Sequence, residues 1–439
     1  MLAFLLQVSA WLQGGRVYLF AVFMMLIWLL WIVKVALVRH YRPCDRGWAT
    51  TTTVVVPVVD EPPELFKPVL ERIVEQRPTE LIVVINGPRN DAIEGLCDDL
   101  DVHHVWTESP GKRGAVKIGV ELATSEVVVL VDSDTLWTPQ TLAELVKPFR
   151  HERVGGVTTR QRILDPRRSV FTRWADWLEN IRNEYSMPAM SVLGTVGCLP
   201  GRTIAFRRRI LVNCMDRFLS EKFLGVLLEV SDDRTLTNYT LEAGYETVYQ
   251  STALVYTDAP TGLRKLARQQ YRWARGSQYN TLRMLPWMLR NAPVLAVFYV
   301  SDIIAPFILV GSLLAWAVSS LTGFDIALYE QLPVPQHSGH ALLLLLALSV
   351  SMTLISLTVR FGFHFADRPS DLAYLPAFMV INTFVLMPIR VVGFVRMAHN
   401  ASWGTRVHAF AGHRERNALV LVPYLLGTAM LATSVMISV

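Results

Sequence analysis

Apolar segments long enough to cross a membrane lie towards both ends of the chain. Val17 to Val38 is interrupted only by Lys34, whose long side chain can carry its charge to the membrane interface. Residues 1–12 are apolar but too short to span a bilayer, and we expect them to lie in the interface. The C-terminal third adds three segments of spanning length, so the pattern predicts four spanning helices, at residues 17–38, 294–321, 340–359 and 419–437.

Residues 371–397 are also apolar, but Pro388, Arg390 and Arg396 interrupt their second half. Basic residues cluster directly after the first span, at residues 39–46, which places the chain that follows in the cytoplasm. A full crossing at 371–397 would carry Arg396 and the basic residues beyond it to the outer side, against the same rule. We therefore predict an interfacial or re-entrant element there.

The region between the membrane segments has the pattern of a soluble α/β domain. Runs of Val, Ile and Leu bounded by polar residues predict strands buried on both faces, at residues 54–59, 81–86, 102–106, 126–131 and 154–164. Helices are predicted between them, at residues 63–76, after residue 91 and at 114–123, which favours a parallel sheet with right-handed crossovers. A helix at 168–185 carries Trp174 and Trp177 among charges, and could face either the core or the membrane surface.

Four regions follow from these patterns. Residues 1–46 hold the interfacial segment and the first spanning helix, and residues 47–260 form a cytoplasmic α/β domain. Residues 261–292 form interfacial helices, and residues 293–439 form the C-terminal membrane region.

Composition agrees with a membrane protein. Of the 439 residues, 52% are hydrophobic and the mean hydropathy is +0.33, which is high for a soluble protein. The net charge of +5 comes without a Lys/Arg stripe among aromatic residues, so no nucleic-acid partner is expected. The four cysteines lack the spacing of a metal site and indicate free thiols in a reducing compartment.

The predicted strand at 126–131 ends abruptly in Asp132, Ser133 and Asp134. Open α/β sheets bind ligands at the carboxyl ends of their strands, and alternate residues point the same way, so both acids can face one site. Two close carboxylates repel unless a cation neutralises them, and a hard divalent ion with oxygen ligands also binds a diphosphate. The alternative is a polar turn that simply ends the strand.

Two further charged segments could complete such a site. Lys112 and Arg113 follow a glycine at a predicted helix start, where cationic side chains and backbone N–H groups can meet a phosphate; the alternative is a solvated loop. Ser231, Asp232 and Asp233 open another helix. Either Ser231 caps that helix with acids in its first turn, or one carboxylate is a general base.

Two aromatic segments near the membrane regions could bind a sugar. On a helix, Gln269, Arg272 and Trp273 share one face, where polar groups can bind diphosphate oxygens and the Trp ring can stack on a sugar. Trp403 and Arg406 lie in a short loop that could form a gate. The alternative for both segments is anchoring at the membrane interface.

Together these motifs resemble the processive family 2 glycosyltransferases of membranes, and within them the hyaluronan synthases. Nodulation chitooligosaccharide synthases and capsule and cellulose synthases are relatives. The resemblance covers roughly residues 50–416 and rests on the set D-S-D, D-D-R-x-L-T-N-Y, Q-x-x-R-W and W-G-T-R. It implies a GT-A type domain with a mostly parallel sheet, embedded between transmembrane and interfacial helices.

The resemblance also implies a role for each motif. Asp132 and Asp134 would bind UDP with Mg²⁺ or Mn²⁺, and Asp233, with its neighbour Asp232, would supply the general base. The substrate-binding residues would include Lys112 and Arg113 at the diphosphate, Cys198 in the loop 197–201, Gln269, Arg272 and Trp273 at the diphosphate and acceptor, and Trp403 and Arg406 in a gating loop.

Two segments depart from the family pattern. Asp60 and Glu61 replace the pair that usually follows the first strand, and Asn86 stands where an acid near the uracil is expected. Asp60 could still contact the uridine.

The activity implied is inverting polymerisation of UDP-sugars, with export of the polysaccharide. Hyaluronan, from UDP-N-acetylglucosamine and UDP-glucuronate, is the first hypothesis. The alternatives are a single-donor synthase, a non-processive transferase, and a channel with a degenerate transferase domain. The expected location is the plasma (inner) membrane, and a monomer is expected.

Overall fold

The computed structural model describes residues 19–108, 111–227, 230–322, 339–398 and 418–438. Residues 1–12, predicted to be interfacial, lie outside these ranges. All four cysteines lie inside them, and each is an unpaired thiol.

An eight-stranded mixed sheet forms the centre of the soluble domain. Its strands are β1 (Thr52–Val58), β2 (Glu80–Asn86), β3 (His103–Thr107), β4 (Val127–Val131), β5 (Thr135–Trp137), β6 (Val154–Ile163), β7 (Thr203–Arg207) and β10 (Glu246–Thr257). A separate hairpin consists of β8 (Lys222–Phe223) and β9 (Val226–Leu227). The strand order is β3-β2-β1-β4-β7-β6-β10-β5.

The expected parallel arrangement holds for one half of the sheet. Strands β3, β2, β1 and β4 are parallel neighbours, as are β6 and β10. Strand β7 runs antiparallel between β4 and β6, and β5 runs antiparallel to β10. Neither β5 nor β7 was predicted, because each is short and lies inside a segment dominated by polar motifs.

Helices cover both faces of the sheet. Those of the soluble domain are α2 (Pro63–Val74), α3 (Asp91–Asp99), α4 (Lys112–Leu122), α5 (Thr141–Val146), α6 (Val170–Ile181), α7 (Met187–Val192), α8 (Arg208–Leu219) and α9 (Asp232–Glu242), after α1 (Leu19–Val38) at the N-terminal end. Alternation along β1 explains the two layers: Val54 and Val56 pack with Phe66 of α2, whereas Val55 packs with Val116 of α4.

The membrane-proximal region packs directly on the second of these layers. It consists of α10 (Leu263–Asn291), α11 (Pro293–Thr322), α12 (Gly339–Arg360), α13 (Gly362–Asp367), α14 (Leu375–Val380), α15 (Met387–Val395) and α16 (Val422–Ser438). Leu30 of α1, Met284 of α10 and Phe298 of α11 belong to the same buried cluster as Val55 and Val116. The soluble domain therefore shares part of its core with the helices beside it.

Within the described ranges, four helical segments are long and apolar enough to cross a membrane: Leu19–Val38, Pro293–Ala315, Pro369–Val395 and Ala418–Met436. Residues 369–395, expected to be interfacial or re-entrant, form an unbroken run of helical turns with a π-helical stretch at Ile381–Leu386. Its length and composition suit a full crossing as well as the expected arrangement. The apolar stretch Leu346–Arg360 of α12 is shorter than these four segments.

Helix α6 faces the core. Ser169 and Thr172 form a reciprocal capping box at its start, and the helix continues through a π-helical turn at Arg182–Ser186 into α7. Trp174 and Trp177 are fully buried, and the Trp177 ring stacks 5.2 Å from Phe378 of α14. The core-facing alternative for this segment is therefore correct.

Buried charges join α6 to the connection between α12 and α14. Asp176 is fully buried and lies 3.1 Å from Arg368. Asp371 accepts from Arg173 at 2.6 Å and lies 3.0 Å from His364, whose other ring nitrogen meets Asn180 at 2.9 Å. These contacts tie the soluble domain to the membrane-proximal helices.

Candidate active site

The D-S-D segment forms a tight turn between β4 and β5. The Asp132 backbone N–H donates to the Arg202 carbonyl oxygen at 3.0 Å, and the Thr135 N–H donates to the Asp132 carbonyl oxygen at 3.1 Å. Ser133 is buried and donates its hydroxyl to Glu61. The turn is thereby held from both sides, with its acidic side chains at the carboxyl end of β4.

Lys112 connects this turn to the second acidic motif. Its Nζ lies 2.5 Å from Asp132 Oδ1 and 3.0 Å from Asp232 Oδ2. Gly111, just before α4, has φ +91°, a conformation that side chains disfavour, and it directs the chain into the helix. Burial would lower the pKa of Lys112, but the two carboxylates outweigh it and hold this pKa above its ordinary value.

Asp232 and Asp233 occupy the first turn of α9, and their pKa values shift in opposite directions. Burial would raise the pKa of Asp232, yet Lys112 lowers it below the ordinary value. The pKa of Asp233 is raised, by burial first and by the Asp232 charge second. Ser231 has φ +65° and makes no side-chain cap, so its predicted capping role is wrong.

Gly201 lies close to both acidic motifs and to Lys112. Its N–H donates to Asp233 Oδ2 at 3.1 Å. A methyl group placed on Gly201 would lie 3.4 Å from Asp233 Cβ, 3.7 Å from Lys112 Nζ and 3.8 Å from Asp132 Oδ2. The structure thus places the D-S-D turn, the cation and the acid pair around one small cleft.

Cys198 lies in the loop that carries Gly201. Burial, with the nearby Asp233 charge, raises the pKa of its thiol to about 12. Such a thiol stays protonated near neutral pH and is a poor nucleophile. The loop is fixed to α9, since the Leu199 N–H donates to Thr237 Oγ1 at 3.0 Å.

The Asp134 side chain is exposed, but the protein around it partly desolvates its carboxyl group. This desolvation, with the Asp132 charge as the second cause, raises the pKa of Asp134, while Arg202 and Lys112 oppose the rise. Lys112 contacts Asp132, so the two acids of the turn leave room for further positive charge. Among the described residues, no group of three or more His, Cys, Asp or Glu side chains forms a metal-binding cluster.

The other side of the cleft is formed by α10. Gln269 and Trp273 line a narrow recess together with Glu179 and Arg202, and Trp273 remains 36% exposed. Arg272 is half-buried on the same helix. The predicted common face is present, and the roles of these side chains in substrate binding stay predictions.

Close packing fixes α10 at both of its sides. A methyl group on Gly276 would lie 2.5 Å from Ser231 Cβ, so only glycine allows α10 to approach the turn before Asp233. On the other side, Arg275 Nε donates to the Arg396 carbonyl at 3.0 Å and Gln278 Nε2 donates to the Arg390 carbonyl at 2.9 Å. One helix thus contacts the acid pair and the end of α15.

Arg113 points away from the cleft, contrary to its predicted contact with a diphosphate. Its guanidinium is buried, lies 3.0 Å from Glu221 and donates to the Phe218 carbonyl at 2.6 Å. Glu221 also accepts from Thr235 at 2.9 Å and faces Arg283 at 3.3 Å. Adjacent helical residues project about 100° apart, so Lys112 and Arg113 serve different sites.

The ends of β1 and β2 lie side by side, since Val58 pairs with Ile85. Glu61 is largely buried and accepts from the Val59 N–H at 2.8 Å, while Asp60 is exposed. The Asn86 amide is buried, and neither its oxygen nor its nitrogen has a hydrogen-bond partner among the described residues. Glu61 therefore supports the D-S-D turn, and the uridine contact of Asp60 stays a prediction.

Trp403 and Arg406, predicted to form a gating loop, lie outside the described residues. Sequence reasoning missed Glu179 and Arg202, which line the recess next to Trp273, and Arg182, which pairs with Glu179. Glu179 accepts from Arg202 at 2.7 Å and from Arg182 at 3.1 Å. The signal available for Arg202 was its place directly after Gly201.

A family model described as glycosyltransferase-like family 2 matches residues 49–276, which is more than half of the chain. The chain belongs to this family. The matched region contains the sheet, both acidic motifs and the Q-x-x-R-W segment, and the roles of these motifs stay predictions. The assignment as an enzyme follows from the same match.

Two curated relatives span most of this glycosyltransferase. A hyaluronan synthase from Streptococcus pyogenes is 26% identical over 389 residues, which cover 85% of this chain and 88% of the relative. An N-acetylglucosaminyltransferase from Neorhizobium galegae is 26% identical over 383 residues, which cover 83% and 82% of the two chains. The predicted resemblance to hyaluronan synthases and nodulation-type enzymes is confirmed. Together with the apolar helices, it identifies a membrane protein.

Solved structures support the fold. A mannosyltransferase from Pyrobaculum calidifontis, solved in complex with GDP-Man and Mn²⁺, aligns with a TM-score of 0.55 and 21% identity. The alignment covers 83% of this chain and 98% of that one. The GT-A type domain with adjoining apolar helices is therefore confirmed.

Proposed function

We propose that this glycosyltransferase is a processive, inverting polymerase that joins UDP-sugars into a β-linked polysaccharide, in the first instance hyaluronan, and exports it. The observation that carries the proposal is the Lys112 bridge between Asp132 and Asp232. It brings a donor-binding motif and a general-base motif into one cleft. The similarity to a streptococcal hyaluronan synthase across most of both chains supports the choice of product.

In this proposal Asp233 is the general base. Its Oδ1 and Oδ2 accept from the Arg234 and Gly201 N–H groups, which fixes the carboxylate in the cleft. The carboxylate removes the proton from an acceptor hydroxyl, and the oxygen attacks the anomeric carbon from the side opposite the diphosphate. The bond to the diphosphate breaks as the new bond forms, so an α-linked donor gives a β-linked product. The chain then rests against Trp273 for the next cycle.

The residues present fit a divalent cation. Mg²⁺ is commonly held by one or two carboxylates together with substrate phosphates and water, so a larger protein cluster is not required. Asp132 and Asp134 supply two carboxylates, and the pKa of Asp134 is raised by burial first and by the Asp132 charge second, which a bound cation would offset. A bound Mg²⁺ or Mn²⁺ would neutralise the charge of the departing diphosphate. Lys112 would add its charge on the same side.

Export is supported by polar groups among the apolar helices. Lys34 of α1 lies 3.2 Å from Ser186, in the π-helical turn after α6, and 5.1 Å from the Phe298 ring. Asp302 and Arg390 are further charged residues there, and Arg390 Nη1 lies 3.4 Å from the Asp302 carbonyl oxygen. Charges inside membrane segments are costly unless they pair or line a polar path. We infer an exit path here, with the catalytic domain in the cytoplasm at the plasma (inner) membrane.

The test is UDP release by the purified protein in lipid nanodiscs with Mg²⁺ or Mn²⁺. UDP-N-acetylglucosamine, UDP-glucuronate and UDP-glucose are supplied singly and in pairs, and the product is sized. Turnover that requires the first two together, with long chains cut by hyaluronidase, is the expected result. Asp233→Asn should lower turnover about a hundredfold or more, since general-base catalysis contributes that much, while UDP-sugar binding persists.

A second candidate is a single-donor synthase of chitooligosaccharides. It is favoured by the equal identity to an N-acetylglucosaminyltransferase. Turnover with UDP-N-acetylglucosamine alone, giving short chains, would select it. Absence of UDP release with every donor would contradict both candidates and turn attention to Asn86 and to nucleotides other than UDP.

A further inference from the structure

Arg202 stands where the donor and acceptor sides of the cleft meet. Its backbone carbonyl accepts from the Asp132 N–H at 3.0 Å, and the preceding residue, Gly201, donates to Asp233 at 3.1 Å. Its guanidinium lies 5.8 Å from the centroid of the Trp273 ring. The side chain therefore extends from the reacting acids towards the proposed sugar-stacking surface.

The Arg202 guanidinium is held in place through one of its own nitrogens, Nη1. Arg202 Nη1 donates to Gln161 Oε1 at 2.6 Å and to Glu179 Oε1 at 2.7 Å. Within the described ranges, Nε and Nη2 donate to no protein group. The Arg202 side chain is 12% exposed. The group is thus oriented by two buried acceptors and keeps donors for a ligand, which is how a recognition arginine differs from a structural one.

Positive charge dominates the acceptor side of the cleft. Glu179 is buried, and its single negative charge is shared between Arg182 and Arg202. Arg234 lies beside them with neutral partners, the Ser277 and Thr281 oxygens, and stacks 4.1 Å from the Tyr299 ring. On this side Arg182, Arg202 and Arg234 outnumber Glu179 and Asp258, which also lines the recess, whereas Lys112 on the donor side lies between Asp132 and Asp232. Such a polarised cleft favours an anionic acceptor.

We propose that Arg202 recognises the carboxylate of a uronate at the end of the acceptor chain. The planar Nε and Nη2 donors match a carboxylate, and charge-assisted hydrogen bonds of this kind are strong. The adjacent Trp273 face supports the sugar ring. The inference rests on the proposed function and deepens it, because it assigns the acceptor chemistry to a residue outside the known motifs.

The test compares two acceptors on the protein in lipid nanodiscs, with UDP-N-acetylglucosamine as donor. One is a hyaluronan tetrasaccharide that ends in glucuronate, and the other is the same tetrasaccharide with its carboxylates methyl-esterified. For the unaltered protein, the KM of the acid form should be about tenfold lower, as expected for one bidentate charged contact. Arg202→Gln should reduce this ratio to about one.

Donor chemistry provides the internal reference. Release of UDP without acceptor is measured for every variant, and Arg72→Gln, which removes an exposed charge far from the cleft, should keep the full ratio and this acceptor-free rate. If Arg202→Gln does not fold, Gln161→Leu replaces it: the variant keeps the charge but loses one orienting acceptor, and the ratio should fall about threefold.

Three results would overturn the inference while the proposed function stands, and two of them are comparisons of KM. One is an equal KM for the acid and ester acceptors in the unaltered protein. The other is an unchanged preference in the variant. A proportional loss of acceptor-free UDP release would also overturn it, by assigning Arg202 to the donor. Absence of UDP release with any donor would instead contradict the proposed function itself.

Discussion

At the scale of single residues, one lysine separates the behaviour of two neighbouring acids. Lys112 pairs with Asp232 and lowers its pKa, while Asp233, next in the chain, faces burial and the charge of Asp232. A general base works best when its pKa approaches the working pH. The raised pKa therefore suits Asp233, and not Asp232, to proton transfer.

The low-pH side of the profile of kcat/KM against pH should reflect the raised pKa of Asp233. Asp233 must be ionised to accept a proton, so kcat/KM should fall with decreasing pH through a pKa above the ordinary aspartate value of about 3.9. The measurement is the initial rate of UDP release from pH 4 to 8 in a single buffer mixture. Lys112→Gln removes the cation that lowers the pKa of both acids, so the acid limb should shift to higher pH. A limb at or below the ordinary value in the unaltered protein would contradict the assignment.

At the scale of elements, helix α10 is the part that unites the site. It presents Trp273 to the recess, meets the turn before Asp233 through Gly276, and contacts the end of α15 through Arg275 and Gln278. A change in its distance from α9 therefore affects both the base and the sugar-binding surface.

Gly276→Ala tests this close approach. The new methyl group would lie 2.5 Å from Ser231 Cβ, so α10 and α9 must move apart. We expect a loss of about 1–3 kcal/mol of stability, as for other overpacked sites, and a lower thermal midpoint with reduced turnover.

Gly95→Ala in α3 is the matched control. A methyl group there meets nothing within 4 Å, and the better helix propensity of alanine should raise the midpoint slightly. Equal midpoints for the two variants would show that α10 tolerates the displacement.

Apolar periodicity and the order of the motifs were enough to predict part of the sheet and part of the candidate site. Strands β1, β2 and β4 are runs rich in Val, Ile and Leu, and the end of β4 placed Asp132 correctly. The orientation of Arg113 was out of reach, because it depends on Glu221, which lies more than a hundred residues away in the chain and is buried by tertiary packing. Arg202 was missed for the same reason: its partners Gln161 and Glu179 come from β6 and α6.

At the scale of the whole molecule, buried charges connect catalysis to the membrane. The same helix, α6, carries Glu179 towards the acceptor recess and Asp176 and Asn180 towards the α12–α14 connection. Removing one partner from a buried ionic group leaves an uncompensated charge. The two parts of the protein should therefore respond together when this network is weakened.

Acidic pH should weaken the network through His364. Burial lowers the pKa of this imidazole, and Asp371 only partly opposes the effect. A histidine with a depressed folded-state pKa contributes stability above its unfolded pKa of about 6.5, and this contribution is lost as the pH falls. The thermal midpoint should thus decrease between pH 7.5 and 5.5.

His364→Gln, which keeps a donor and an acceptor at this position, should flatten that decrease. A parallel loss in both proteins would assign the pH dependence to other groups. Midpoints measured in the same lipid at each pH give the comparison.

The hydrogen bonds from α10 to the carbonyl groups of Arg390 and Arg396 have a mechanical consequence. If the helical run at 369–395 crosses the bilayer, its tilt depends on the thickness of the hydrocarbon layer. Because α10 is bonded to the end of that run, a change in tilt moves the Trp273 surface relative to Asp233. Lipid acyl-chain length then becomes a kinetic variable, and the bilayer acts as an effector of the rate of polymer growth.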